Sequence, residues 1–375
     1  MDALCIIQDS VEDSAKEVNN MGSIYKKATL TILATNGTSA NCGFLESRPL
    51  LDVCELPLCL PDGSLESIFL VKPFSRRPRH YAYRPKEALH QRGWALQEFL
   101  LSPRLLIYGE REMTWFCQSL FSPAIDNHID YLQKGPCKQL PPIMFNPHIK
   151  YSATVHQQAA LWRDIVHDFT RRKLTFSEDR LPAISDIARE MQSIWKDQYY
   201  AGMWDSCLTR HLGWYGEDFN PSRPISDYRA PSWSWASIDG KINLGGVKIW
   251  NAEVQILGCT VQSKLSGAPF GSALSGELNL KGILVEYAKI PRKEVCAWKF
   301  VVEAGPRNMI TDHTPVLLLG RSIGSGATIC MLLQHVSGQR YRRIGRLQFK
   351  HYRNYSLNPH KEGWRREMPV QITLV

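Results

Sequence analysis

Leu4-Cys5-Ile6-Ile7, then Val11 to Ala28, then Thr29-Leu30-Thr31-Ile32-Leu33-Ala34: the reading of these first residues decides the fold. The opening apolar run is of the kind found in a strand buried on both faces. Asp9 and Ser10 offer N-cap oxygens, and Glu12 and Asp13 suit the positive end of a helix. Apolar positions at Val11, Ala15, Val18, Met21, Ile24 or Tyr25, and Ala28 keep helical spacing, with Gly22 a mild weakness. Thr29–Ala34 is β-branched and ends at Asn36-Gly37. A strand, helix and strand joined so tightly predict a right-handed parallel crossover. Parallel strands need neighbours and covered faces, so this unit implies a larger sheet whose preceding strand is expected to be missing here.

Residues 36–91 are irregular and rich in proline, with a strand expected around 65–71. Gln91 to Ser102 reads as a short helix stopped by Pro103. Leu105–Tyr108 and Met113–Cys117 read as a β-hairpin, and 119–150 as a linker or long loop. Helices are expected over 156–172 and 181–196, and a shorter one from Tyr199 through Leu212. Beyond Tyr228 the period becomes two, which predicts strands at 232–237, 246–263, 276–290, 298–303, 314–319, 328–335, 341–350 and 370–374. The fold class is thus α/β, a partial domain with a parallel βαβ core, followed by helices and a mostly antiparallel β-rich region. The expected divisions are 1–118, 119–150, 151–225 and 226–375.

The composition excludes several classes. Hydrophobic residues make up 44% and charged residues 22%, values of a soluble globular chain. No apolar stretch is long enough to span a membrane, and the amino terminus lacks a signal-peptide pattern, so a cytoplasmic protein is expected. Ten cysteines are scattered without a CxxC pair, which suggests small buried hydrophobes and no metal site. Residues 1–70 carry 4 Lys/Arg against 10 Asp/Glu, whereas the remainder carries 41 against 26. Short basic clusters such as Arg171-Arg172-Lys173 and Tyr341-Arg342-Arg343 belong to no nucleic-acid motif, and nucleic acid is not an expected partner. GxSxG, Walker-type, HExxH and GxGxxG patterns are all absent from the sequence.

Several blocks together resemble the heterokaryon-incompatibility (HET) domain proteins of filamentous fungi. Met1-Asp2-Ala3-Leu4-Cys5-Ile6-Ile7-Gln8-Asp9 is similar to that family's W-I-D-x-L-C-I-x-Q block, with Met1 in place of the leading Trp-Ile. Glu17 to Ala28 resembles its E…M…I-Y…A helix, and Arg92-Gly93-Trp94-Ala95-Leu96-Gln97-Glu98 its R-G-W-x-x-Q-E block. Asp179–Ser185, Ala201–Trp204, Tyr228–Ser237 and Arg342–Gly345 look like the region that follows such domains. The chain departs in two ways: Ser14 stands where Trp is common, and the family's upstream strand and helix are expected to be lacking.

The resemblance implies non-self recognition between fused fungal cells, a protein partner, and a cell-death response. It further implies distant kinship to TIR and flavodoxin-like folds, some members of which hydrolyse NAD, so NAD enters as a substrate and no cofactor is otherwise called for. Glu98 and Glu17 are then the candidate catalytic carboxylates, because cleavage of NAD at the ribose calls for a carboxylate nearby. Asp2, Gln8, Arg92 and Gln97 are the candidate binding residues, since ligands sit beyond the carboxyl ends of strands and near the helices that follow. Each has a structural alternative: Asp2 and Gln8 tying down loops, Glu17 pairing with Arg92, and Arg92 and Glu98 bridging a helix start while Trp94 fills the core. A non-catalytic interaction module is the competing function. The oligomeric state is left open.

Overall fold

Ser10 takes the Asp13 amide proton and so caps helix α1, Val11–Lys27, whose last turn sets Lys26 and Lys27 against the negative end of the helix. The computed structural model describes residues 6–7, 9–37, 39, 41, 43–45, 53–71, 87–109, 113–118, 140–148, 150–217, 228–245, 249–250, 253–265, 267–290, 295–302, 310–322, 326–351 and 367–375. After α1 come strand β1 (Thr31–Ala34) and a hairpin of β2 (Val53–Cys59) and β3 (Leu65–Val71). Helix α2 (Ala95–Leu101) and strands β4 (Arg104–Tyr108) and β5 (Met113–Cys117) follow.

These strands make a small sheet of three, ordered β1-β4-β5. The parallel pair is formed by β1 and β4, from Thr31↔Leu105 to Ala34↔Tyr108. Leu4 and Cys5 lie outside the described residues, while Ile6 and Ile7 are irregular. Their backbone is used locally: the Ile7 amide donates to the Asp13 carboxylate at 2.9 Å, and the Ile7 carbonyl accepts from Ser10 at 3.1 Å. The crossover helix between the parallel strands is therefore α2. Its Phe99 packs with Leu33, Leu105 and Ile107 on one face of the sheet.

Thr154 and Gln157 form a reciprocal capping box that opens α3, Val155–Phe169. Helix α4, Ser185–Trp195, begins later than the periodicity suggests, because Ser177–Arg180 and Pro182–Ile184 form tighter 3-10 turns first. The helix expected from Tyr199 is a correction. Tyr199–Tyr200 (β6) and Met203–Trp204 (β7) form a two-stranded hairpin, and helix appears only at Leu208–His211 (α5). Ala201 and Gly202 turn the hairpin with φ of 44° and 96°, a backbone no helix accommodates. The strand expected at Ser232–Ser237 is likewise absent: the Ser234 hydroxyl caps a 3-10 turn at Trp235–Ser237.

The remaining strands are β8 (Tyr215–Gly216), β9 (Ile242–Asn243), β10 (Ile249–Trp250), β11 (Gln255–Ser263), β12 (Ala273–Gly282), β13 (Leu284–Glu286), β14 (Val295–Val302), β15 (Pro315–Ser322), β16 (Thr328–Ser337), β17 (Arg340–His351) and β18 (Val370–Leu374). All but β8 and β9 join one sheet of nine strands, whose main path runs β10-β15-β16-β17-β18-β12-β11. Strand β18 links its two halves, lying parallel to β17 through Arg340↔Thr373 and antiparallel to β12 through Leu278↔Leu374. One face meets the helices in a continuous core that runs from Leu96 through Trp162, Trp204 and Trp235 to Leu374. The other face carries its own cluster of Val316, Leu318, Cys330, Leu332, Leu347 and Phe349. The architecture is α/β in its first part, helical in the middle and mostly antiparallel β at the end.

Candidate functional site

Gly22 explains itself through Asp186. The Gly22 amide donates to Asp186 Oδ2 at 2.7 Å, and a β-carbon at Gly22 would lie 2.5 Å from the Asp186 β-carbon. A glycine inside a helix costs about 1 kcal/mol, and here it lets α1 approach the first turn of α4 closely. Burial raises the Asp186 pKa, opposed by the Arg189 guanidinium and the Gly22 amide. One turn on, Lys26 Nζ meets Glu190 Oε2 at 2.6 Å. Helix α1 is thus keyed to α4 by two polar contacts and by the missing side chain.

The segment Arg92-Gly93-Trp94 is keyed to the same body. The Gly93 amide donates to the Lys173 carbonyl at 2.7 Å, and the Lys173 amide to the Gln91 carbonyl at 2.6 Å. A β-carbon at Gly93 would stand 2.4 Å from Leu174. Trp94 Nε1 donates to Asp179 Oδ2 at 3.1 Å, while burial raises the Asp179 pKa against that hydrogen bond. The Arg92 side chain is exposed, and its carbonyl accepts from Arg172 Nη1 at 3.4 Å. Among the described residues Arg92 forms no ion pair with Glu17, so that lock does not close the domain.

Glu17 is half-buried on α1 and Glu98 half-buried on α2, and these two helices pack together. Beside Glu98, Gln97 is fully buried, and among the described residues neither polar atom of its amide has a hydrogen-bond partner. Leaving such a group unpaired costs about 1–3 kcal/mol. The Glu98 carbonyl accepts from the Ser102 hydroxyl at 2.6 Å, which lies 2.8 Å from the Thr31 hydroxyl. This ties the crossover helix to β1. Asp2 and Gln8 lie outside the described residues. Among the described residues no cluster of His, Cys, Asp or Glu is arranged to hold a metal ion. Cys207 and Cys330 are buried, whereas Cys54 and Cys59 are exposed, so the expectation of buried cysteines holds for only some of them.

Both tryptophans of Trp233-Ser234-Trp235 are fully buried. The Gly202 carbonyl accepts from Trp162 Nε1 and from Trp235 Nε1, each at 2.8 Å. The Ala201 carbonyl accepts from the Ser234 hydroxyl at 2.5 Å. Arg229 donates to the Ala236 and Ser177 carbonyls and to Asp239 Oδ1, and buried Arg180 donates to the Gly240 carbonyl. Burial and the nearby Arg229 charge bring the Arg180 pKa down to about 9. These residues build the core against which the amino-terminal helices rest. Asp179 and Asp186, the acceptors for Trp94 and Gly22, were not singled out as docking residues from the sequence. A glycine in the middle of an amphipathic helix was their only trace.

A parallel pair joined through a short helix, docked by glycine contacts onto a helical layer over an antiparallel sheet, defines the class: an α/β domain integrated with a β-rich body. Residues 1–98 match the family model described as heterokaryon incompatibility protein (HET), so this stretch is similar to that family's domain. The match supports a heterokaryon-incompatibility-type role in general terms. No curated protein and no solved structure matched the chain. Among the described residues no helix is long and apolar enough to cross a membrane.

Proposed function

We propose that the protein acts in the cytoplasm in non-self recognition between fused fungal cells, with the HET-matched stretch delivering a cell-death response through a protein partner. In this reading residues 1–118 form the responding unit, 119–150 connect it, and 151–225 and 226–375 form the body that controls it. The observation that carries it is the docking of α1 on α4 through Gly22 and Asp186, which joins the family-matched helix to the rest of the chain. Anything that moves α4 is then felt at α1. Expression in a filamentous fungal host is expected to arrest growth, and Gly22→Val is expected to relieve the arrest while the protein still accumulates. Normal growth with abundant wild-type protein would count against the proposal.

A second reading, NAD hydrolysis, is favoured by the Gln97 amide, which has no partner among the described residues, next to Glu98 on a helix that packs against the one carrying Glu17. Water would displace nicotinamide from the ribose carbon, yielding ADP-ribose, nicotinamide and a proton. A carboxylate beside the ribose would stabilise the cationic transition state. Incubation of folded protein with NAD is expected to release nicotinamide, and Glu98→Gln to abolish the release. Absence of release from the wild type leaves the first reading as a non-catalytic interaction module.

A further inference from the structure

Among the described residues two apolar faces are largely exposed, the second with Phe44 packed at one end on Tyr108. The first is the β2–β3 ribbon, in which every residue of 54–59 and 61–69 is exposed. Its register sets Leu56 opposite Ile68 and Leu58 opposite Glu66, so Leu56, Leu58 and Ile68 share one face, at 38–39% exposure each. A two-stranded ribbon on its own is marginally stable in water, and both of its edges are open to pairing. The second is the outer face of the β1-β4-β5 sheet. Phe99 of α2 packs on the inner face, but the cross-strand row Ile32–Leu106–Trp115 lies on the other one. Ile32, Met113 and Trp115 are each more than half exposed there. Sheets with parallel strands are ordinarily covered on both faces.

Charge selects what meets what. The ribbon 53–71 contains Glu55, Asp62 and Glu66 and no Lys or Arg. The three strands of the sheet contain a single charged residue, Arg104, which shares the bare face with Leu106 and is exposed. On the face of Leu56, Leu58 and Ile68 each ribbon carries one acid, Glu66, so two ribbons brought together would set Glu66 against Glu66. A ribbon laid on the sheet would instead cover apolar surface on both sides and set Glu66 toward Arg104.

We propose that the ribbon of one copy lies on the outer face of the β1-β4-β5 sheet of a second copy, and reciprocally, giving a two-fold dimer with two identical ribbon-to-sheet contacts. A two-fold arrangement satisfies both faces of both copies at once. The contact does not depend on the NAD reading, because it uses neither Glu17 nor Glu98.

The test is light scattering on the full chain after size-exclusion chromatography, with two variants. The ribbon variant is Leu56→Lys with Ile68→Lys, and the sheet variant is Trp115→Lys. All three sites are well exposed, and circular dichroism and thermal melting of each variant are expected to match the wild type. The wild type is expected to run as a dimer, with at least tenfold weaker association at high salt, and each variant as a monomer. An equimolar mixture of the two variants is expected to associate more tightly than either variant alone but less tightly than the wild type, since the mixed dimer keeps one intact contact, between the ribbon of the sheet variant and the sheet of the ribbon variant. A monomeric wild type would overturn the proposal. So would a mixture that associates no better than either variant alone, or a dimer lost in the ribbon variant but kept in the sheet variant.

Discussion

The three-stranded and nine-stranded sheets of this protein are stabilised in opposite ways. The nine-stranded sheet has a buried cluster on each face, with Leu317, Leu319, Ile329 and Met331 toward the helices and Val316, Leu318, Cys330 and Leu332 away from them. The three-stranded sheet buries only Leu33, Leu105 and Ile107 on one side and exposes Ile32 and Trp115 on the other. Alternation in the first case places apolar residues on both faces, as a layered core requires. The second depends on what touches its helices: Asp186 for α1, and Lys173 and Asp179 for the segment that leads into α2. The HET-matched part is therefore the weaker unit, and its order is borrowed from the body.

The sharpest way to break this contrast is at β18, which joins the two halves of the large sheet. Leu374 is fully buried. Placing an unpaired charge there with Leu374→Asp should cost more than ~5 kcal/mol and leave no cooperative melt by calorimetry. Next in size is Trp235→Ala, which leaves a cavity beside Phe169 and removes one of the two indole donors to the Gly202 carbonyl. A loss of about 3–5 kcal/mol in urea denaturation is expected, felt first in the nine-stranded sheet, whose helix-facing core contains Trp235.

A pH dependence follows from His211. Burial lowers its pKa from 6.5 to about 4, and the Arg163 and Arg210 charges push the same way. The unfolded chain therefore binds a proton that the folded chain refuses. The stability is fully present above pH 6.5 and falls as the pH drops toward 4. About 3 kcal/mol should be lost across that window, as urea midpoints at a series of pH values would show, and His211→Gln should flatten the dependence. The smallest effect belongs to Lys26, whose contact with Glu190 is partly exposed. Lys26→Ala should change the melting of the amino-terminal part by less than ~1 kcal/mol.

Periodicity made much of this fold legible. Helix α1, the β4–β5 hairpin, and strands β15 to β18 lie where apolar spacing puts them. Pairing was harder, because an apolar run such as Leu4–Ile7 names no partner, and β1 chose a strand far along the chain. The failures at Tyr199–Trp204 and Ser232–Ser237 share a cause. Aromatic residues at those positions are dictated by tertiary packing, with Trp162, Trp204 and Trp235 converging around Gly202, and not by local propensity. Of the site, the sequence marked Glu17, Gln97 and Glu98 on helices that do meet. It gave no sign that Gln97 would be unpartnered, since a hydrogen-bond deficit exists only once the surroundings are in place.

Amide hydrogen exchange on Gly22→Val bears most directly on the claim that the HET-matched part takes its order from the body. The account predicts that amides of residues 21–27 and 31–34 lose protection by tenfold or more, while those of β15 to β17 keep wild-type rates. Unchanged protection in α1 and β1 would contradict it, as would an equal loss throughout the nine-stranded sheet.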